Sequence, residues 1–146
     1  RFIFDNDGIG QLVDGFFEGA IPFNGNSSVA YVIDEMTGNP IKENYFNLKT
    51  QCYYRTGDRV VRGEMKISKT VADKMYNNAM TVQQRFMFER KAIRRDKIDN
   101  DGRLRIIGKD EMKVKLNGDS PDLMDMFMMR EIFELKPKMV FAYGND

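Results

Sequence analysis

The apolar positions of this chain change period several times, and each change marks an element. Phe2, Ile3 and Phe4 form a continuous apolar run closed by Asp5. That is the pattern of a buried strand that delivers a carboxylate to the edge of a sheet. Gly8-Ile9-Gly10 then turns the chain, and Ile9, Leu12, Val13, Phe16 and Phe17 recur at spacings of three and four. This predicts an amphipathic helix to about residue 18, ended by Gly19. Pro22, Gly25 and two serines give residues 21–28 a loop composition. The β-branched run at 29–33 suits a strand or an extended segment, and Asn39-Pro40 marks another turn.

Tyr45, Leu48 and Cys52 share one helical face, which predicts a helix of about three turns from residue 43, stopped at Thr56-Gly57-Asp58. Residues 60–67 mix apolar and charged positions and fit no single period. Residues 69–95 contain neither Gly nor Pro, and Val71, Met75, Ala79, Val82, Phe86 and Phe88 roughly follow a helical period, giving one long helix or two short ones. Asp99-Asn100-Asp101-Gly102 suits a tight turn into a strand at 103–107. Ser120-Pro121 supplies an N-cap and a first-turn proline for a helix carrying Leu123, Met126, Phe127, Met129, Ile132 and Phe133, limited by Pro137. The tail at 138–146 is expected to be extended or flexible.

With 146 residues and 42% hydrophobic content, these elements make one domain with enough apolar material for a core. There is no histidine and Cys52 is the only cysteine, which excludes a disulfide framework, a Cys/His zinc site and any histidine base or triad. Hydrolytic chemistry would have to use carboxylates, lysines or metal ions. No apolar run reaches the roughly 18 residues of a membrane span, and no signal pattern opens the chain, so it reads as soluble and intracellular. It begins at Arg1, without Met and within a predicted strand, as a fragment of a longer protein would.

The formal charge of +1 is uninformative as a total, but its distribution is uneven. From Arg85 to Lys115 eleven basic residues face six acidic ones, an excess of five that makes a candidate surface for phosphate backbones. A solvated helix face laced with salt bridges explains the same excess equally well. The eleven methionines read as core filler.

Two Asp-Asn-Asp-Gly tetrapeptides invite a calcium-loop reading, which fails on ligand count: the first loop position would be Ile3 or Lys97, and Gly108 would replace the closing Glu of the second. Gly8-Ile9-Gly10 lacks the third glycine of a dinucleotide fingerprint. Asp5 or Asp7 could equally cap the following helix, and the macrodipole alone explains Asp122. It does not explain Asp125, which lies among Met124, Met126, Phe127 and Met128 and needs a metal or a hydrogen-bond partner if buried.

Four segments together resemble the nuclease part of tailed-bacteriophage large terminase subunits: Asp5-Asn6-Asp7-Gly8-Ile9-Gly10 with Leu12-Val13-Asp14; Tyr45-Phe46-Asn47-Leu48-Lys49-Thr50-Gln51-Cys52; Lys109-Asp110-Glu111-Met112-Lys113; and Ser120-Pro121-Asp122-Leu123-Met124-Asp125. The resemblance implies an α/β, ribonuclease-H-like fold, a mixed sheet flanked by helices, lacking its first strands in this fragment. It implies a metal-dependent endonuclease that cuts concatemeric double-stranded viral DNA in the host cytoplasm, with the terminase small subunit and the portal protein as partners and no membrane. Three acidic positions would hold two Mg2+ or Mn2+ ions. Asp5 matches the second; Asp122 or Asp125 matches the third, with Asp122 favoured; the first would lie upstream of Arg1. Lys109, Lys113, Arg94, Arg95 and Arg105 would contact the DNA backbone. The family's ATPase motor is absent, since no phosphate-binding loop motif occurs. The alternatives are a catalytically silent nucleic-acid or protein-docking module and a junction resolvase of the same fold.

Overall fold

The computed structural model describes residues 2–6, 16–96 and 101–135. Strand β1 (Phe2–Asp5) pairs in parallel with β2 (Ala20–Phe23), in the register Phe2 to Ala20 through Asp5 to Phe23. The apolar run before Asp5 is thus a strand, but not the buried one its pattern suggested: Phe4 is buried, Ile3 half-buried and Phe2 exposed. Residues 20–23 are its partner and not the loop their composition suggested, because Ala20 and Ile21 continue the ladder up to Pro22. A proline is tolerated where a strand lies at a sheet edge. Most of the helix predicted at 9–18 lies outside the described residues; Phe16 to Glu18 form a turn, and Gly19 takes a left-handed φ of 74°.

Strands β3 (Tyr31–Ile33) and β4 (Pro40–Lys42) form an antiparallel hairpin, so Pro40 starts a strand instead of only marking a turn. Asp34 closes its loop: its carbonyl accepts from the Gly38 N–H at 2.8 Å and its carboxylate from the Met36 N–H.

Helix α1 (Leu48–Val61) starts later and runs further than its sequence pattern predicts. Asn47 supplies the cap, its side chain accepting from the Thr50 N–H and hydroxyl at 2.9 and 2.8 Å. Gly57 does not stop the helix. The stop is Gly63, at φ 71°, where Gly63 N–H donates to the Val60 carbonyl and Glu64 N–H to the Arg59 carbonyl, a Schellman ending. Leu48, Cys52 and Tyr53 line the buried face and pack with Phe23 of β2 and with Met124, Met128, Ile132 and Leu135. Each such side chain contributes about 1.5–3 kcal/mol by leaving water. The core therefore lies between α1 and the two helices α5 (Asp122–Met129) and α6 (Ile132–Leu135).

The Gly-free stretch at 69–95 holds two helices, α2 (Lys69–Ala72) and α3 (Val82–Ala92). The break comes at Asn77, whose side chain accepts from the Ala79 and Met80 N–H groups and competes with the helix ladder. Thr81 and Gln84 then restart the helix with a reciprocal capping box. Val71 and Met75, apolar positions of the predicted face, are exposed.

Residues 104–107 are extended, but they make only isolated bridges, Leu104 to Tyr45 and Ile106 to Arg95, in place of the predicted strand. A helix that the sequence pattern did not suggest, α4 (Lys109–Lys115), follows Gly108. It is acidic in its first turn and basic in its last, as the helix dipole favours. Pro121, not Ser120, occupies the cap position of α5 and makes no side-chain cap bond. Pro137 and the tail at 138–146 lie outside the described residues. The protein is mixed α/β, and its described residues form two small sheets and a set of helices. No described helix is long and apolar enough to cross a membrane.

Candidate functional site

The end of β1 is tied to α1 by a run of short contacts. Asn6 N–H donates to the Phe23 carbonyl at 3.0 Å, and its side-chain amide donates to Asn24 Oδ1 at 2.9 Å. Gly25 follows against α1: a Cβ there would stand 3.2 Å from Lys49 Cβ and 3.4 Å from the Phe23 ring, so the close approach favours glycine. Its carbonyl accepts from Lys49 N–H, and that of Ser27 accepts from Leu48 N–H, both at 2.9 Å. Two otherwise unmatched amides of the α1 N-terminus are thereby satisfied.

Lys49 continues the path to α5. Its Nζ lies 3.3 Å from Asp125 Oδ1, the atom that also accepts the Tyr53 hydroxyl at 2.5 Å. Tyr53 is buried, and its ionisation is pushed upward by burial and then by the neighbouring Asp125 charge and hydrogen bond. Asp125 thus has the partner its apolar neighbours demanded, and that partner is a tyrosine and a lysine. Asp122, one turn earlier, is exposed, as is Asp5 at the tip of β1. Asp7 lies outside the described residues.

The start of α5 is held from α3. Glu89, fully buried, accepts from Met124 N–H at 2.9 Å through one oxygen and from Arg85 Nε at 2.6 Å through the other. Arg85 also donates to Asp119 Oδ2 at 2.7 Å and to the Ser120 carbonyl at 2.9 Å. Burial opposes the charge of Arg85, but the hydrogen bonds to Asp119 and Glu89 outweigh it and hold the guanidinium protonated. A cap that α5 lacks in its own sequence is therefore provided by another helix.

Beside this framework lie two basic grooves. One, of about 330 Å³, is lined by Lys49, Phe46, Asn47, Arg105 and Lys109. The other, of about 420 Å³, is lined by Arg94, Arg95, Glu111 and Lys115, and the two share Asp96 and Ile107. Four of the five cations expected to bind DNA thus line one groove or the other. Lys113 lines neither; it is half-buried on α4. Arg105 is already engaged: Asp101 accepts from it at 2.7 Å and its guanidinium lies 3.6 Å from the Phe46 ring centroid.

The chemistry on offer is that of carboxylates, as suits a hard divalent ion. Burial pushes the Cys52 thiol up to about 12, with the Glu131 charge adding to it, so no thiolate ligand is available near neutrality. Among the described residues, however, no three His, Cys, Asp or Glu side chains come together as a group that could hold a metal ion. The carboxylates described here do not by themselves make a metal centre. Lys49, Tyr53, Arg85 and Glu89 were not candidates from sequence, although the spacing of four in each pair, on a helix, was a usable signal.

Compared with models of known protein families and with curated proteins, the chain gives no match.

Proposed function

We propose that this chain is the nuclease module of a phage DNA-packaging terminase, a metal-dependent endonuclease of ribonuclease-H-like architecture acting on double-stranded DNA. The observation that carries the reading is the path from the tip of β1 through Asn24, Gly25 and Lys49 to Asp125, which links both acidic segments of the resemblance beside a basic groove. Asp5 and Asp122 or Asp125 are the acids of the site. Mg2+ or Mn2+ ions, when bound with a further carboxylate from outside the described residues, would activate water and stabilise the leaving oxygen of a phosphodiester.

The side chains of this chain hold the substrate. Lys49, Lys109 and Arg105 in one groove and Arg94 and Arg95 in the next engage backbone phosphates, which fixes the position of the duplex without reading its bases. Tyr53 fixes the rotamer of Asp125, and Lys49 shares its charge between that carboxylate and the groove. A second reading, a silent docking module, is favoured by one observation: Asp125 is already paired with a cation.

Nicking of supercoiled plasmid by the full-length protein in Mn2+ separates these readings. Cutting of linear and branched duplexes alike supports the terminase nuclease. Strong preference for branched DNA would turn the assignment toward a junction resolvase, and salt-sensitive binding without cleavage toward the docking module.

A further inference from the structure

Helix α5 carries both candidate acids yet begins with Pro121, which offers no capping side chain. The first amides of a helix need partners, and a buried helix start without them is destabilised. Here the missing acceptor comes from 35 residues away, as Glu89 Oε2 receives the N–H of Met124, the third residue of α5 and part of its first turn. Glu89 is itself fully buried on α3, and a lone carboxylate there would be strongly disfavoured. Arg85 neutralises it from one turn earlier, and the same guanidinium clamps Asp119 and the Ser120 carbonyl, the two residues just before Pro121. The Arg85 plane also lies 5.1 Å from the Tyr76 ring centroid, which limits its rotation. The Phe86 and Phe127 rings, 4.9 Å apart, close the α3 to α5 contact.

We infer that Glu89 and Arg85 are positioning residues for the acidic site, fixing the height and rotation of α5 and thereby the placement of Asp122 and Asp125. The inference rests on the reading of those aspartates as the acids of a nuclease. Glu89 touches neither substrate nor either aspartate; it acts through the Met124 amide, and Arg85 acts through Glu89 and the 119–120 backbone. A planar guanidinium with several donors is required for the clamp, so lysine cannot replace Arg85. Glutamine can replace Glu89 in part, since its amide oxygen still accepts from Met124 N–H.

The test measures amide hydrogen exchange and Mn2+-dependent nicking of plasmid by the full-length protein. In Glu89→Leu, Met124 should exchange roughly tenfold faster, as loss of a helix cap implies, while the Cys52 and Tyr53 amides in α1 stay protected. The kcat for nicking should fall by about the same factor, with KM for DNA unchanged, and Glu89→Gln, which keeps the acceptor for Met124 N–H, should recover part of both. Should Glu89→Leu not fold, Asp119→Asn decides. Its side chain is largely exposed, and its loss should lower kcat about threefold with KM unchanged. Unchanged Met124 exchange or a loss expressed only in KM overturns the positioning role. A wild-type protein that protects Met124 but does not cut DNA overturns the nuclease reading instead.

Discussion

The Tyr53 hydroxyl donates a 2.5 Å hydrogen bond to Asp125 Oδ1, joining the middle of α1 to α5 across 72 residues of sequence. Because the acceptor is a partly buried carboxylate, removing the donor leaves it, among the described residues, with Lys49. Tyr53→Phe should lower stability by about 2 kcal/mol, the range for a hydrogen bond to a charged group. Urea denaturation measures this; a loss below about 0.5 kcal/mol would mean that Lys49 and solvent suffice.

Alkaline pH should unfold the protein through two buried acids. Cys52 rises from 9.0 to about 12 in the folded state, and Tyr53 rises above its ordinary 10.0. A folded pKa above the unfolded one means that the folded state holds its proton longer, so the stabilisation is complete below the unfolded pKa and is lost as pH climbs toward the folded one. Stability should be level with respect to these groups up to about pH 9, then fall by about 1.4 kcal/mol per pH unit for each titrating group. Cys52→Ala should remove the part that begins near pH 9, and Tyr53→Phe the part that begins near pH 10, in denaturation midpoints taken from pH 8 to 11.

Glu131, in the turn between α5 and α6, is fully buried and faces Arg59 at 3.0 Å, with Arg130 at 3.8 Å and Arg55 at 3.9 Å. Removing Arg59 takes away the hydrogen-bonded cation and leaves the buried carboxylate to two more distant arginines. Arg59→Ala should therefore destabilise by about 3 kcal/mol, and adding Glu131→Gln should restore part of that loss. Strict additivity in the double variant would show that the two side chains are not coupled.

The grooves make a selective prediction about DNA affinity. Lys109→Ala and Arg94→Ala should each reduce the slope of log affinity against log salt by about one, whereas Lys113→Ala, outside both grooves, should leave it unchanged. Electrophoretic shift titrations at several salt concentrations read this directly. Equal effects at all three positions would mean that net charge, not groove geometry, sets binding.

What could be read from the residues was mainly local. The apolar run before Asp5 is a strand, although of its three apolar residues only Phe4 is buried, and Ser120-Pro121 announced the α5 start to within one residue. Gly57 misled because packing of Leu48, Cys52 and Tyr53 carries α1 through it, whereas Gly63 alone adopts the left-handed conformation that ends it. Strand β2 was hidden by Pro22 and by the nearby loop residues, since pairing with β1 is a non-local fact. The site was half legible. Its aspartates stood out as acids in unusual company, but Tyr53 and Lys49, which hold Asp125, and Glu89, which holds the Met124 amide of the same helix, come from 35 or more residues away and look like ordinary helix residues in sequence.

We propose that Asp5 and the acids of α5 hold the ions that hydrolyse a phosphodiester. The most direct measurement is Mn2+-dependent nicking of supercoiled plasmid by the full-length protein beside its Asp5→Ala and Asp122→Ala variants, with DNA affinity measured in parallel. Loss of an acid in a two-ion site should reduce kcat by about 100-fold or more while leaving DNA affinity within about threefold. Cleavage that survives Asp5→Ala at the wild-type rate would show that Asp5 is not an acid of the nuclease site.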